Sequence, residues 1–217
     1  MIQTQLLNDL PSGPGFIEDW ARKGGFPSIA GVDEAGRGCW AGPVFAAAVI
    51  LPERFDLPDL DDSKTLSHAD RDALYSPIKE QAVAWAVAQS SCQDIESLNI
   101  LGATLKAMKA AVEQVCARVM PSIVVVDGTN IIPGLAMPQR AWVRGDHLSY
   151  AIAAASILAK VSRDRLMEEM DLVYPGYAFS SHKGYGTAAH RAALDRLGPC
   201  PIHRRGFKPI AAMLRSR

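Results

Sequence analysis

Apolar and polar positions along this chain fall into short blocks whose period changes from two to about 3.6 and back. Residues 28–33 are an apolar stretch ending in acid, residues 44–51 an unbroken apolar run, and residues 82–89 alternate through Val83, Trp85 and Val87. All three read as strands. The link between the first two, with Gly36, Gly38, Gly42 and Pro43, is too short for a crossover helix and predicts antiparallel pairing. Ser67 starts a predicted helix over 68–81, whose second half Pro77 should weaken. A second helix is predicted over 100–119, with Leu101, Leu105, Met108, Val112 and Val115 at helical spacing and Pro121 as its stop. Residues 123–126 and 141–143 add two strands, and the Ala-rich stretch 149–170 and residues 187–197 add two helices. A helix between the third and fourth strands predicts a crossover into parallel pairing. The class is α/β: a five-stranded mixed sheet flanked by helices, with a small C-terminal helical extension. Residues 1–27 read as an N-terminal extension and 28–217 as one domain, of which about 172–217 form the helical region.

Composition agrees with a single core. The chain has 217 residues, 48% hydrophobic and 21% charged, enough to bury one domain. Its longest apolar run, 44–51, falls far short of the roughly 20 residues that span a bilayer. The first 27 residues lack the basic start and apolar stretch of a secretory signal. Cys39, Cys92, Cys116 and Cys200 form no Cys-x-x-Cys pair, which argues against a zinc site and for reduced thiols in a cytoplasm. Net charge is zero, yet residues 172–217 carry eight basic side chains (Lys183, Arg191, Arg196, Arg204, Arg205, Lys208, Arg215, Arg217) against Asp195 alone. On charge alone this tail reads equally as a solvated surface or as one that holds a polyanion.

The chemistry lies at strand ends. Asp33 and Glu34 close one apolar stretch, Asp127 closes Ile123-Val-Val-Val-Asp-Gly128, and Asp146 closes Arg140-Ala-Trp-Val-Arg-Gly-Asp146. A single Asp-Gly is more often a turn cap, but three independent strand-to-acid endings reverse those odds. Gathered together, the four acids make an oxygen-rich cage for divalent cations, the equipment of a phosphodiester-cleaving enzyme. Neighbouring strand residues point to opposite faces, so Asp33 and Glu34 share one pocket only if the strand ends or bulges there, and Gly36 and Gly38 would ease such a turn.

Several ordered segments then resemble one family. They are Gly31-Val-Asp-Glu-Ala-Gly-Arg-Gly38, Asp62-Ser-Lys-Thr-Leu-Ser67, Val126-Asp-Gly128, Gly145-Asp146, Ala153-Ala-Ala-Ser-Ile-Leu-Ala-Lys-Val161 and His182-Lys-Gly-Tyr-Gly-Thr187 with His190. The series resembles bacterial ribonuclease HII from about residue 30 to 210. Cys39-Trp40 departs from the proline and aliphatic residue frequent in that family, which touches only local turn packing. The resemblance implies a ribonuclease H-like sheet and an endonuclease that cuts the RNA strand of RNA/DNA hybrids. It also implies nicking 5′ of single ribonucleotides embedded in duplex DNA, leaving a 3′-hydroxyl and a 5′-phosphate. Asp33, Glu34, Asp127 and Asp146 would hold two Mg²⁺ or Mn²⁺ ions, with Asp33 bridging and Glu34 left open between a direct and an indirect role. Gly36, Arg37 and Gly38 would meet the ribose 2′-hydroxyl and nearby phosphates, Tyr185 the following deoxyribose, and Lys64 and Lys183 the backbone phosphates. The implied partners are RNA/DNA hybrids, ribonucleotide-containing duplex DNA and a replication sliding clamp, for a cytoplasmic monomer with no membrane association.

The competing readings fit less well. Ribonuclease HIII carries an extra N-terminal domain, ribonuclease HI is shorter, and a non-catalytic nucleic-acid-binding module needs no strand-end acids. His182, His190 and His203 match no zinc spacing and read as structural or phosphate-contacting groups. Asp59, Asp61 and Asp62 read as a solvated loop, Tyr174 and Tyr177 as half-buried structural residues, and Ser156 and Lys160 as helix packing without chemistry.

Overall fold

The computed structural model describes residues 13–60 and 66–215. Five strands form one sheet: β1 (Ile29–Ala35), β2 (Val44–Ile50), β3 (Ala84–Ser90), β4 (Ile123–Asp127) and β5 (Gln139–Trp142). Their order is β3-β2-β1-β4-β5, with β1 central. β2 pairs antiparallel with both β1 and β3, whereas β1–β4 and β4–β5 are parallel, as the short and long connections require.

Helices cover both faces. α1 (Phe16–Lys23) precedes the sheet, α2 (His68–Gln81) and α3 (Cys92–Cys116) flank β3, and α4 (Tyr150–Val173) follows β5. One face, with Ala30, Val32, Ala46, Val124 and Val126, packs on Met108, Ala111, Val112 and Val115 of α3. On the other face Ala47 and Val49 meet the alanines, Ile157 and Leu158 of α4. The small residues of α4 have a clear purpose: a Cβ on Gly31 would lie 2.2 Å from the Ala151 carbonyl carbon, so helix and strand touch backbone to backbone. Three short helices, α5 (Phe179–His182), α6 (Ala188–Leu197) and α7 (Lys208–Arg215), close one end around Phe179, Leu194 and Ile210.

Several boundaries differ from expectation for physical reasons. α2 begins where predicted, on a reciprocal cap between Ser67 and Asp70, but Pro77 does not weaken its end; Leu74 and Ile78 stay anchored in the core around it. α3 starts earlier than residue 100. Ser91 caps the first segment, and Asn99, at φ 57 and ψ 174, kinks the helix while its Oδ1 accepts from the Leu101 and Gly102 amides. The predicted start, residue 100, is thus the first residue after the Asn99 cap of the second segment. α3 also ends at Cys116 rather than 119, and the Arg118 and Val119 amides both close back on the Val115 carbonyl in a final turn.

α1 has no counterpart in the sequence reading. Its Ile17 and Ala21 are fully buried against Ile29, Ile123, Val125 and Ile152. Glu18 on the same helix is also buried, and its Oε1 accepts from Ser149 Oγ at 2.6 Å and from the Ala151 amide at 3.0 Å. α1 therefore supplies a carboxylate to the N-terminus of α4, where the helix dipole and free amides favour negative charge. Burial raises the Glu18 pKa, and those hydrogen bonds oppose the rise.

Candidate active site

The site grows from the register of two neighbouring strands. Val32 of β1 lies opposite Val126 of β4 in parallel pairing, and both face α3. The next residues, Asp33 and Asp127, therefore stand side by side on the α4 face. Asp33 is 5% exposed; its Oδ1 accepts from the Glu34 amide at 2.7 Å, and Ser156 of α4 donates a second hydrogen bond. Burial pushes the Asp33 pKa well up, the charges of Glu34 and Asp127 push it further, and the hydrogen bonds work against both.

β1 neither ends nor bulges at its acids. Asp33, Glu34 and Ala35 pair regularly with Ala47, Ala46 and Phe45, so the expected break lies further along, at Gly36 (φ 95). Glu34 consequently leaves by the opposite face, where Arg37 Nη1 donates to its Oε1 at 3.0 Å. Its pKa is raised by burial first; Arg37 lowers it and Asp127 raises it. The two acids thus differ in surroundings while sharing the field of Asp127.

Asp127 reaches the fourth acid through the main chain. Its Oδ1 accepts from the Gly145 amide at 2.7 Å, opening a 3-10 turn over Gly145–His147. Asp146 sits inside that turn, 2% exposed. The donor set is therefore all oxygen and strongly negative, with Arg37 as a nearby cation; the Asp127 charge raises the pKa of both Asp33 and Glu34, and the Glu34 charge adds to the rise at Asp33, a crowding that suits hard divalent ions. Among the described residues no three acidic, histidine or cysteine side chains already stand arranged to hold one ion.

Beside the acids lies a second constellation. Gly36 is buried, whereas Arg37 and Gly38 are exposed. Tyr185 is 42% exposed, and its hydroxyl is hydrogen-bonded to the Cys39 thiol; burial raises the pKa of both groups. A Cβ on Gly38 would come within 4.0 Å of the Tyr185 ring. Lys160 Nζ is 5.6 Å from the same ring and 2.8 Å from Asp164 Oδ1. Ser156 and Lys160, read from sequence as packing residues, in fact line the acids and Tyr185. Lys183 Nζ binds Glu168 Oε1 and the Ser180 carbonyl, both at 2.6 Å, so a phosphate would have to compete with them. Lys64, with Asp61 and Asp62, lies outside the described residues.

The three histidines hold the Tyr185 segment. His182 Nε2 contacts the Tyr177 carbonyl at 2.7 Å, and its Nδ1 accepts from the Gly184 amide. The Cys200 amide donates to His203 Nδ1 at 2.9 Å, His203 Nε2 meets His190 Nε2 at 3.0 Å, and His190 Nδ1 meets the Tyr185 carbonyl at 2.9 Å. Neutral rings, with protons on His203 Nε2 and His190 Nδ1, give each of these contacts one donor and one acceptor. Burial pulls His190 and His203 down to about 4. Tyr177, read as half-buried, is buried and donates from its hydroxyl to the Gly198 carbonyl at 2.6 Å.

Sequence reasoning missed Arg163 and Arg204, both fully buried behind residues 36–43. It placed Arg204 in a basic surface, but the guanidinium points inward to main-chain carbonyls. The basic tail is to that extent smaller than the charge count suggested.

A mixed sheet in this order, with carboxylates on adjacent central strands, defines a ribonuclease H-like nuclease. Ribonuclease H2 from Pyrococcus horikoshii OT3 has the same fold, at a TM-score of 0.71 and 23% identity over 87% of this chain and 98% of that one. The ribonuclease HII family profile matches residues 30–210, and the chain belongs to that family. It is 51% identical over 205 residues to ribonuclease HII of Hyphomonas neptunium, covering 88% of this chain and 98% of the relative. With ribonuclease HII of Dichelobacter nodosus it shares 54% identity over 188 residues, 87% and 98% of the two chains. A structure of a ribonuclease HII in complex with PCNA, from Archaeoglobus fulgidus, matches at a TM-score of 0.68 and 26% identity, covering 83% and 95%. The protein is a metal-dependent endoribonuclease that cleaves RNA in RNA/DNA hybrids and excises ribonucleotides from DNA. Among the described residues no helix is long and apolar enough to cross a membrane.

Proposed function

We propose that Asp33, Glu34, Asp127 and Asp146 hold two Mg²⁺ or Mn²⁺ ions and that the enzyme nicks 5′ of a ribonucleotide embedded in duplex DNA. The observation that carries this reading is the adjacency of Asp33 and Asp127, whose charges oppose each other in a buried place with Glu34 close by. When bound, the two cations supply Lewis acidity on both sides of the phosphorus. The protein's own part is positional. Ser156 and the Glu34 amide orient the Asp33 carboxylate, the Gly145 amide orients Asp127, and Arg37 limits the negative charge at Glu34. Water attacks the phosphorus in line, the P–O3′ bond breaks, and the products carry a 3′-hydroxyl and a 5′-phosphate.

Recognition falls to the exposed turn and its neighbour. Gly36, Arg37 and Gly38 take the ribose 2′-hydroxyl and adjacent phosphate, which separates RNA from DNA. Tyr185 covers the next deoxyribose with its ring, Lys160 stands over that ring, and Lys64 and Lys183 serve backbone phosphates. Residues 28–217 would act as the catalytic unit, with 172–217 contributing to the substrate surface and 1–27 as an extension. The complex of the archaeal relative with PCNA supports a sliding clamp as protein partner, and a cytoplasmic monomer suffices for the activity. Product mapping on a duplex with one ribonucleotide tests the reading. It predicts a single nick 5′ of the ribonucleotide, dependent on Mg²⁺ or Mn²⁺; a nick elsewhere, or one that survives chelation, contradicts it.

A further inference from the structure

Arg163, from the middle of α4, and Arg204, from the segment after α6, enter the same space from opposite sides. Arg163 donates from Nε to the Pro43 carbonyl (3.0 Å), from Nη2 to Ala41 (3.0 Å) and from Nη1 to Lys183 (2.9 Å). Arg204 donates from Nε to Gly42 (2.9 Å), from Nη1 to Arg37 (2.8 Å) and from Nη2 to Gly36 (2.7 Å). Among the described residues neither guanidinium has a carboxylate within ion-pair distance. Burial, with the like charge of Arg163 nearby, draws the Arg204 pKa down to about 10. Two buried cations without counter-ions are costly, and the rigid guanidinium fork is the group that can answer that cost with main-chain carbonyls alone.

The consequence follows from peptide geometry. In a planar trans peptide the carbonyl of one residue and the amide of the next point in opposite directions. Arg204 draws the Gly36 and Arg37 carbonyls inward, so the amides of Arg37 and Gly38 point outward, at the two positions of this turn that are exposed. Gly36 itself must be glycine for the same reason, since a Cβ there would lie 2.0 Å from Arg163 Nε. Arg163 meanwhile packs against Gly36 and ties the Ala41 and Pro43 carbonyls, just after this turn, to the carbonyl of Lys183, two residues before Tyr185.

We propose that Arg163 and Arg204 are positioning residues that turn the Arg37 and Gly38 amides into an outward pair of donors for the ribose hydroxyl and phosphate and lock that pair to the Tyr185 segment. The proposal rests on the reading of residues 36–38 and Tyr185 as the ribonucleotide-binding surface. It assigns the selectivity for ribose to two residues that never touch substrate.

The test uses the full chain with Arg163→Lys and Arg204→Lys, which keep the charge but lose the fork. KM and kcat are measured on a duplex with one ribonucleotide, and the all-deoxy duplex serves as competitor. The expected result is a KM about tenfold higher on the ribonucleotide duplex, kcat lowered less than about threefold, and inhibition by the all-deoxy duplex unchanged. Unchanged selectivity in both variants, or equal loss on both duplexes, overturns the proposal. If the wild-type enzyme itself does not distinguish the two duplexes, the reading of residues 36–38 fails instead. Should the variants not fold, the wild type decides by NMR in chelator. The Arg37 and Gly38 amide signals must shift further on adding the ribonucleotide duplex than on adding the all-deoxy duplex, and equal shifts overturn the proposal.

Discussion

Asp127 Oδ1 accepts a hydrogen bond from the Gly145 amide at 2.7 Å, tying the end of β4 to the turn that carries Asp146. One carboxylate oxygen is thereby committed to main chain while the other acids crowd the same end of the sheet. The arrangement costs stability in the absence of cations, and that cost is measurable.

Divalent ions should therefore stabilise the fold in a pH-dependent way. Asp33 and Glu34 have raised pKa values, so the native state holds protons that the unfolded chain has already lost, and stability falls as pH rises through the native values. Bound cations replace those protons. Thermal unfolding should show a larger rise in Tm with Mn²⁺ at pH 8 than at pH 5, with about 2.7 kcal/mol expected at a hundredfold excess over Kd. An equal rise at both pH values would contradict the raised carboxyl pKa values.

The histidine pair makes a prediction of opposite sign. His190 and His203 titrate at about 4 in the fold and at about 6.5 when unfolded. Between these values the unfolded chain binds more protons, so their contribution is complete above pH 6.5 and is lost as pH falls toward 4. Urea titrations should show this decline, up to about 1.4 kcal/mol per pH unit per group. His190→Gln should flatten the slope.

Glu18→Ala should destabilise the protein by about 1 to 3 kcal/mol, because it leaves Ser149 and the Ala151 amide without their buried acceptor. Glu18→Gln keeps an acceptor and should recover part of the loss. Chemical denaturation of the two variants checks this, with activity of the folded fraction unchanged.

Tyr185→Ala removes the ring that covers the deoxyribose together with the hydroxyl that meets Cys39. It should reduce kcat/KM on a single embedded ribonucleotide about fivefold to tenfold more than on a long hybrid. Equal losses on the two substrates would place Tyr185 outside the recognition surface.

The strand periodicity and the short glycine-rich link made the five strands and the antiparallel β1–β2 pair legible from sequence. Asp33 and Asp127 were legible as strand-end acids, but that they converge depends on β1 and β4 being neighbours, a long-range pairing that local pattern does not carry. The turn was misplaced because Gly36 is fixed by Arg163, which is remote in sequence. Arg163 and Arg204 were unreadable for the same reason: their partners lie at sequence separations of up to 122 and 168 residues, and a buried Arg looks like a surface Arg until its carbonyls are found. α1 escaped because its buried stripe is only Ile17 and Ala21, too short for periodicity to register.

The most direct test of the four-acid site is Asp33→Asn on a duplex with one embedded ribonucleotide at saturating Mg²⁺. Loss of cleavage by at least about 10²- to 10³-fold is expected, with duplex affinity in chelator within about threefold of wild type. Turnover near the wild-type rate would contradict the account.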